Sequence, residues 1–152
     1  MLALPTPIPA EDHVAIQQLL ATYAWALDTA DLDTLRALFL ADGILQDTRG
    51  NRYEGIEAIL AYCAELTSGP EFRGRRHHID NLLLEPTPEG YLCRSYWTVT
   101  KWDAGTGQKQ IDFTGHSRDL YVRQPGGWRI RERLLYYWHS HDCPWHPASS
   151  SQ

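Results

Sequence analysis

The stretch RRHHIDNLLLE, Arg75 to Glu85, sets two histidines side by side at the head of a run that turns apolar. Imidazole gains and loses a proton near neutral pH, so a histidine held inside a pocket is a candidate general base. Neighbours on a strand point to opposite faces. One of His77 and His78 therefore faces an interior and the other does not.

Two further segments carry chemistry. In GGWRIRER, either Arg131 or Arg133 is expected to be the inward arginine. A buried arginine needs an acidic partner, and Asp119 on the preceding strand is a candidate. In YYWHSHDCPWHP, the residues His139, His141, Cys143 and His146 fall within eight positions. H-x-H puts two imidazoles on one strand face, and C-x-x-H is a zinc-like spacing. Structural zinc motifs usually draw ligands from two separated segments, so no metal is expected here. The expectation is an aromatic tail lying over a pocket mouth, where it would shield a site from water.

The elements that must position these residues follow from periodicity. Residues 1–10 hold three prolines and read as a flexible lead, residues 11–146 as one domain, and residues 147–152 as a disordered tail. EDHVAIQQLLATYAWALD has Ile16, Leu19, Leu20, Tyr23 and Leu27 at helical spacing and should end near Asp28. TADLDTLRALFLAD reads as a short second helix with Asp31 as its N-cap and Leu35, Leu38 and Phe39 buried. GILQD is a short strand candidate, and EGIEAILAYCAELTSG a third helix. HHIDNLLLE, GYLCRSYWTVTKW, QIDFTGHSRDLYVR and GWRIRERLLYYWH then read as strands, separated by the turn segments PTPEG, DAGTGQ and QPGG. Strands joined by short turns imply an antiparallel meander, and helices before strands imply an α+β domain.

Composition narrows the class. With 152 residues the chain is long enough for one real core. A net charge of -5 and the lack of a basic block argue against a nucleic-acid surface. No apolar run approaches a membrane span, and the start is not a convincing signal peptide. Three widely spaced cysteines fit a reducing, cytoplasmic compartment. Six tryptophans and eight tyrosines are enough to line a pocket for an apolar ligand as well as fill a core.

Four segments in this order resemble the SnoaL-like branch of the nuclear transport factor 2-like superfamily. They are LLATYAWALDTADLDTLRALFLADG, RYEGIEAI, RHHIDNLLLE and GGWRIRER, and the resemblance spans roughly Glu11 to Tyr137. It implies a cone-shaped α+β barrel, a curved antiparallel sheet wrapped round three N-terminal helices with a pocket inside. Family members include scytalone dehydratase, hexachlorocyclohexane dehydrochlorinase, bile-acid dehydratase, polyketide cyclases and the β subunits of ring-hydroxylating dioxygenases. Fold therefore does not settle function.

The resemblance also implies site residues. An Asp at the end of the first helix and a His on the first long strand correspond to Asp28 and His77. His77, Ile79, Asn81 and Leu83 would then line the concave face, with His78, Asp80, Leu82 and Leu84 outward. Two outward leucines would make a subunit interface and a homo-oligomer, a dimer or trimer. Tyr23 matches a pocket tyrosine and Arg133 a pocket arginine that could hold developing negative charge, with Leu135 and Tyr137 on the same face. Ser117 falls at a pocket position that could contact substrate, leaving His116 outward. Leu27, Trp102 and Asp47 stand near positions where scytalone dehydratase has a tyrosine, a second pocket histidine and a water-holding tyrosine. Trp102 or Trp97 would narrow the pocket, and Asp47 would be a second carboxylate there.

These residues imply a cofactor-independent, metal-free lyase, dehydratase or isomerase. It would act on a small hydrophobic cyclic molecule through a His–Asp dyad. A polyketide aldol cyclase would use the same pair. A non-catalytic subunit like a dioxygenase β subunit, or a ligand-binding module, would need no working dyad. The bland reading of Asp28 and His77 is a hydrogen-bonded pair anchoring helix to sheet.

Overall fold

The computed structural model describes residues 6–137. The order is α1 (Ala10–Asp28), α2 (Leu32–Leu38), β1 (Phe39–Gln46), β2 (Arg52–Glu54), α3 (Ile56–Ser68), a 3-10 turn (Pro70–Phe72), β3 (Arg75–Pro86), β4 (Gly90–Trp102), β5 (Lys109–Gln124) and β6 (Gly127–Tyr137). The tail with His139, His141, Cys143 and His146 lies outside the described residues. Among the described residues, no helix is long and apolar enough to cross a membrane, and no cluster of His, Cys, Asp or Glu could hold a metal ion.

Each helix forms where the apolar spacing places it. α1 buries Ile16, Leu19, Leu20, Tyr23 and Leu27 along one face. It is pinned at its start by Asp12, which accepts hydrogen bonds from the Tyr91 hydroxyl (3.0 Å) and Arg123 (2.7 Å). Asp31 caps α2 by accepting from the Thr34 amide (3.0 Å) and hydroxyl (2.7 Å). α3 buries Ile59, Leu60 and Cys63. Phe39 is buried as expected, but it opens β1 instead of closing α2.

The strands form one curved sheet in the order β2-β1-β6-β5-β4-β3. It differs from an all-antiparallel barrel in two ways. β1 runs parallel to β6, a pairing that needs a long crossover, here the whole chain between them. The sheet also does not close, because β2 and β3 remain as edges. The helices pack into its hollow, and the core lies between them and the inner face of the sheet.

Register shifts on β3, β5 and β6 decide which side chains face that hollow. On β3 an extra residue sits between Asp80 and Leu83, where Asn81 adopts φ +52°. An extra residue moves every later side chain to the opposite face. The expected inward set therefore holds for His77 and Ile79 and fails after them. Asn81 is exposed, Leu84 is buried in the core and Leu82 packs against it. The outward leucine pair that was to build a subunit interface does not exist. On β5 the extra residue is Asp112, between the partners of Val99 and Thr100. On β6 it is Arg131, between the partners of Leu120 and Tyr121.

Candidate functional site

α1 ends at Asp28 against the start of β3, and the two elements bring Asp28 and His77 together. Asp28 Oδ2 accepts the His77 backbone N–H at 2.9 Å, and Oδ1 lies 2.6 Å from His77 Nδ1. A carboxylate only accepts, so Nδ1 carries a proton, and in the neutral imidazole Nε2 is the nitrogen with the lone pair. The Phe72 ring stacks on the imidazole at 5.8 Å and restrains its plane. His78 points away and meets the Thr100 hydroxyl at 3.0 Å on the outer side.

His77 stands between two hollows. On one side is a cavity of about 120 Å³ with Leu27, Phe72, Ile79, Trp97, Phe113 and Tyr137 as its apolar wall. Its lining also brings in the polar side chains of Tyr23, His77, Arg75 and Arg133, with Thr48 and Tyr62 beside them. Its size is near that of a cavity holding one benzene ring, about 150 Å³. On the other side is a groove of about 340 Å³ between α1 and β3, with Asp28, Trp25 and His78 in its wall. Asp28 thus stands behind the imidazole when viewed from the cavity. The groove is larger, but the cavity is where aromatic walls meet converging polar groups.

At the base of the cavity Arg133 is fully buried and ion-paired with Asp119, directly opposite on β5. Asp119 also accepts from the Tyr121 hydroxyl (2.9 Å) and the Ser117 hydroxyl (3.1 Å), and Ser117 meets Ser95 at 2.8 Å. Burial alone would lower the Arg133 pKa, but Asp119, Tyr23 and Tyr121 outweigh it and the guanidinium is held cationic. Burial pushes the Asp119 carboxyl up against the pull of Arg133. The Arg133 guanidinium lies 4.5 Å from the Tyr23 ring centre. Burial pushes the Tyr23 hydroxyl up to about 12, although Arg133 pulls the other way. Tyr23 is therefore a donor, not a base. Cys63, also in the wall, is pushed up to about 11 by burial and stays a thiol.

The wall depends on a close approach. Gly115 pairs with Trp97 across β4 and β5, and a Cβ at Gly115 would come within 2.1 Å of the Trp97 ring. The indole folds over the glycine and donates from Nε1 to the His116 carbonyl at 2.9 Å. This resolves the choice between tryptophans. Trp97 is inward and buried, whereas Trp102, of opposite parity, is half exposed and outside the cavity.

The remaining expected site residues fall as follows. Tyr137 lines the cavity. Ser117 lies beneath the wall and serves Asp119. Asn81 is exposed at the bulge. Asp47 is buried but ties its own turn, accepting from the Arg49 and Asn51 amides (both 2.9 Å) and the Asn51 side chain (2.9 Å). Its burial would raise its pKa, but these bonds outweigh that and lower it. A carboxylate surrounded by local donors is a turn anchor. His116 stacks on Tyr136 at 5.1 Å, and burial lowers its pKa.

Sequence reasoning missed Phe72, Tyr62 and Arg75 in the cavity wall. Arg75 had a signal. It shares the parity of His77 on one strand, so the reasoning that turned His77 inward applies to it too.

The comparisons add identity to this geometry. A family model described as a SnoaL-like domain matches residues 9–134. No curated protein matches. Among solved structures, Aln2 from a Streptomyces species is 27% identical with TM-score 0.78, covering 87% of this chain and 94% of that one. A Nostoc punctiforme protein of unknown function with a cystatin-like fold is 23% identical with TM-score 0.76, covering 89% and 97%. ActVI-ORFA from Streptomyces coelicolor is 20% identical with TM-score 0.74, covering 82% and 96%. With a family model matched over most of its length, and solved neighbours that share its fold, the chain belongs to the SnoaL-like family.

Proposed function

We propose that the cavity is the substrate site of a cofactor-independent acid–base enzyme, a lyase of the dehydratase kind or an isomerase, acting on a small cyclic molecule. The single observation that carries this is the Asp28–His77 pair, in hydrogen bond at 2.6 Å, with His77 in the wall of an aromatic cavity. His77 Nε2 takes a proton from a carbon next to a carbonyl. Asp28 holds the tautomer and stabilises the imidazolium as it forms. The Tyr23 hydroxyl and the Arg133 guanidinium stabilise the oxyanion of the resulting enolate. A neutral Tyr23 and a cationic Arg133 are the forms this role needs. Elimination, isomerisation and aldol cyclisation share this first step. They diverge in whether a leaving group departs, the proton returns elsewhere, or the carbanion attacks a second carbonyl.

The shared step can be tested before the natural substrate is known. Cyclic ketones and β-hydroxy cyclic ketones are incubated with the protein in D2O and followed by NMR. Deuterium uptake next to the carbonyl, or loss of water, should exceed buffer. His77→Ala should lower the rate by roughly a hundredfold or more. Uptake at the buffer rate across the panel, or a His77→Ala variant as active as the wild type, overturns the reading.

A further inference from the structure

Arg75 is a second cation in the cavity wall, and the enolate chemistry does not use it. Two rings and a carboxylate fix its position. The guanidinium lies 5.0 Å from the Phe113 ring centre and 5.9 Å from that of Phe72. Its Nε donates to Asp112 Oδ2 at 2.7 Å, and both side chains are only 15% exposed. Asp112 is the extra residue of the β5 bulge. Regular alternation would give it the parity opposite to Phe113, and bulges are a means of re-aiming one side chain. The bond to Asp112 uses Nε, so the four terminal N–H donors are not consumed by it. Arg75 and His77 are two apart on one strand, so their Cα atoms are about 6.6 Å apart on the same face.

A largely desolvated guanidinium held by its Nε, between two aromatic faces, presents its terminal N–H groups as a fork for a carboxylate. The rings beside it suit the plane of a ring that bears that carboxylate. We propose that Arg75 is a substrate-binding residue that selects a cyclic carboxylate, with the acid group anchored one strand repeat from His77. This rests on the reading of the cavity as the substrate site. It narrows the substrate from a hydrophobic ring to an amphipathic one. Asp112 is the positioning residue, and its charge also sets how strongly the anion is favoured.

Benzoate and its neutral isostere benzamide separate charge recognition from ring binding. Their affinities are measured by calorimetry, with the change in tryptophan fluorescence as a second readout. The wild type should bind benzoate roughly tenfold more tightly than benzamide. Arg75→Gln should abolish that preference, weakening benzoate roughly tenfold more than benzamide. Asp112→Asn keeps an acceptor for Nε and removes the competing charge, so it should increase the preference. This variant also carries the test if Arg75→Gln does not fold. The proposal is overturned if the wild type shows no preference or binds neither probe. It is equally overturned if Arg75→Gln keeps the preference, or Asp112→Asn leaves it unchanged or weakens it. These are binding measurements, so they stand apart from turnover. If His77→Ala keeps the preference for benzoate while the deuterium exchange above proves absent, the acid–base reading fails and the carboxylate site survives.

Discussion

Asp28 grips His77 at two points, one oxygen on the backbone amide and the other on Nδ1. The first bond fixes where β3 starts relative to the end of α1. The second fixes which ring nitrogen keeps its lone pair. In the proposed reaction structure and chemistry would share one carboxylate, and a variant can separate them.

Asp28→Asn keeps an acceptor and a similar shape but loses the charge. The amide can present its NH2 to Nδ1 and favour the wrong tautomer. The expected result is a loss of about a hundredfold or more in kcat with a small change in stability. Imidazole nitrogen NMR shifts, recorded alongside the kinetics, should show the proton moving from Nδ1 to Nε2.

The buried Arg133–Asp119 pair predicts a large and asymmetric cost. Asp119→Ala leaves a fully buried guanidinium without its counter-charge and should destabilise the fold by about 3–5 kcal/mol. Ser117→Ala removes only one donor from Asp119 and should cost about 1 kcal/mol. Urea unfolding of the two variants compares them directly.

Alkaline stability should fall in a defined window. Tyr23 is pushed up to about 12 by burial, and Tyr121 lies well above its usual value for the same reason. In the unfolded chain both ionise near about 10. Above that pH the unfolded state loses protons that the native state retains, so stability declines as pH rises towards the folded values. Tyrosinate absorbance should lag behind free tyrosine until unfolding and then rise with the unfolding transition.

Asp47 gives the opposite limb. Its pKa is lowered in the folded state by bonds from Asn51, Arg49 and Tyr53 that outweigh its burial. Its contribution is therefore complete above the unfolded value of about 3.9 and is lost as pH falls through the folded one. Asp47→Asn should cost roughly 1–2 kcal/mol at neutral pH. In thermal melts the gap from wild type should close below about pH 4.

Much of the architecture is local and therefore readable. The 3.6-residue spacing of Ile16, Leu19, Leu20, Tyr23 and Leu27 specifies a helix with one buried face. The Asp31 cap and the Gly-rich turns mark boundaries by short-range hydrogen bonding and backbone freedom. The short strand β2, a three-residue piece, has too few residues to show a period. Nothing local says that β1 will lie parallel to β6, because that pairing is made by residues far apart in the chain, such as Ile44 and Glu132.

The sequence by itself determined the order of the longer elements, the alternation that turns one of His77 and His78 inward, and the residue types able to move a proton or hold a charge. Tertiary structure decided which of them meet. Period-2 alternation is a property of one strand, and it holds only until a residue is inserted relative to the neighbour. The bulge at Asn81 sends Leu84 into the core, and the one at Asp112 leaves that carboxylate on Arg75. Along β6 the bulge at Arg131 lets Arg133 and Ile130 both point inward despite opposite parity. Those insertions are set by the fit of six strands around three helices, and with them the size of the cavity and the residues at its wall.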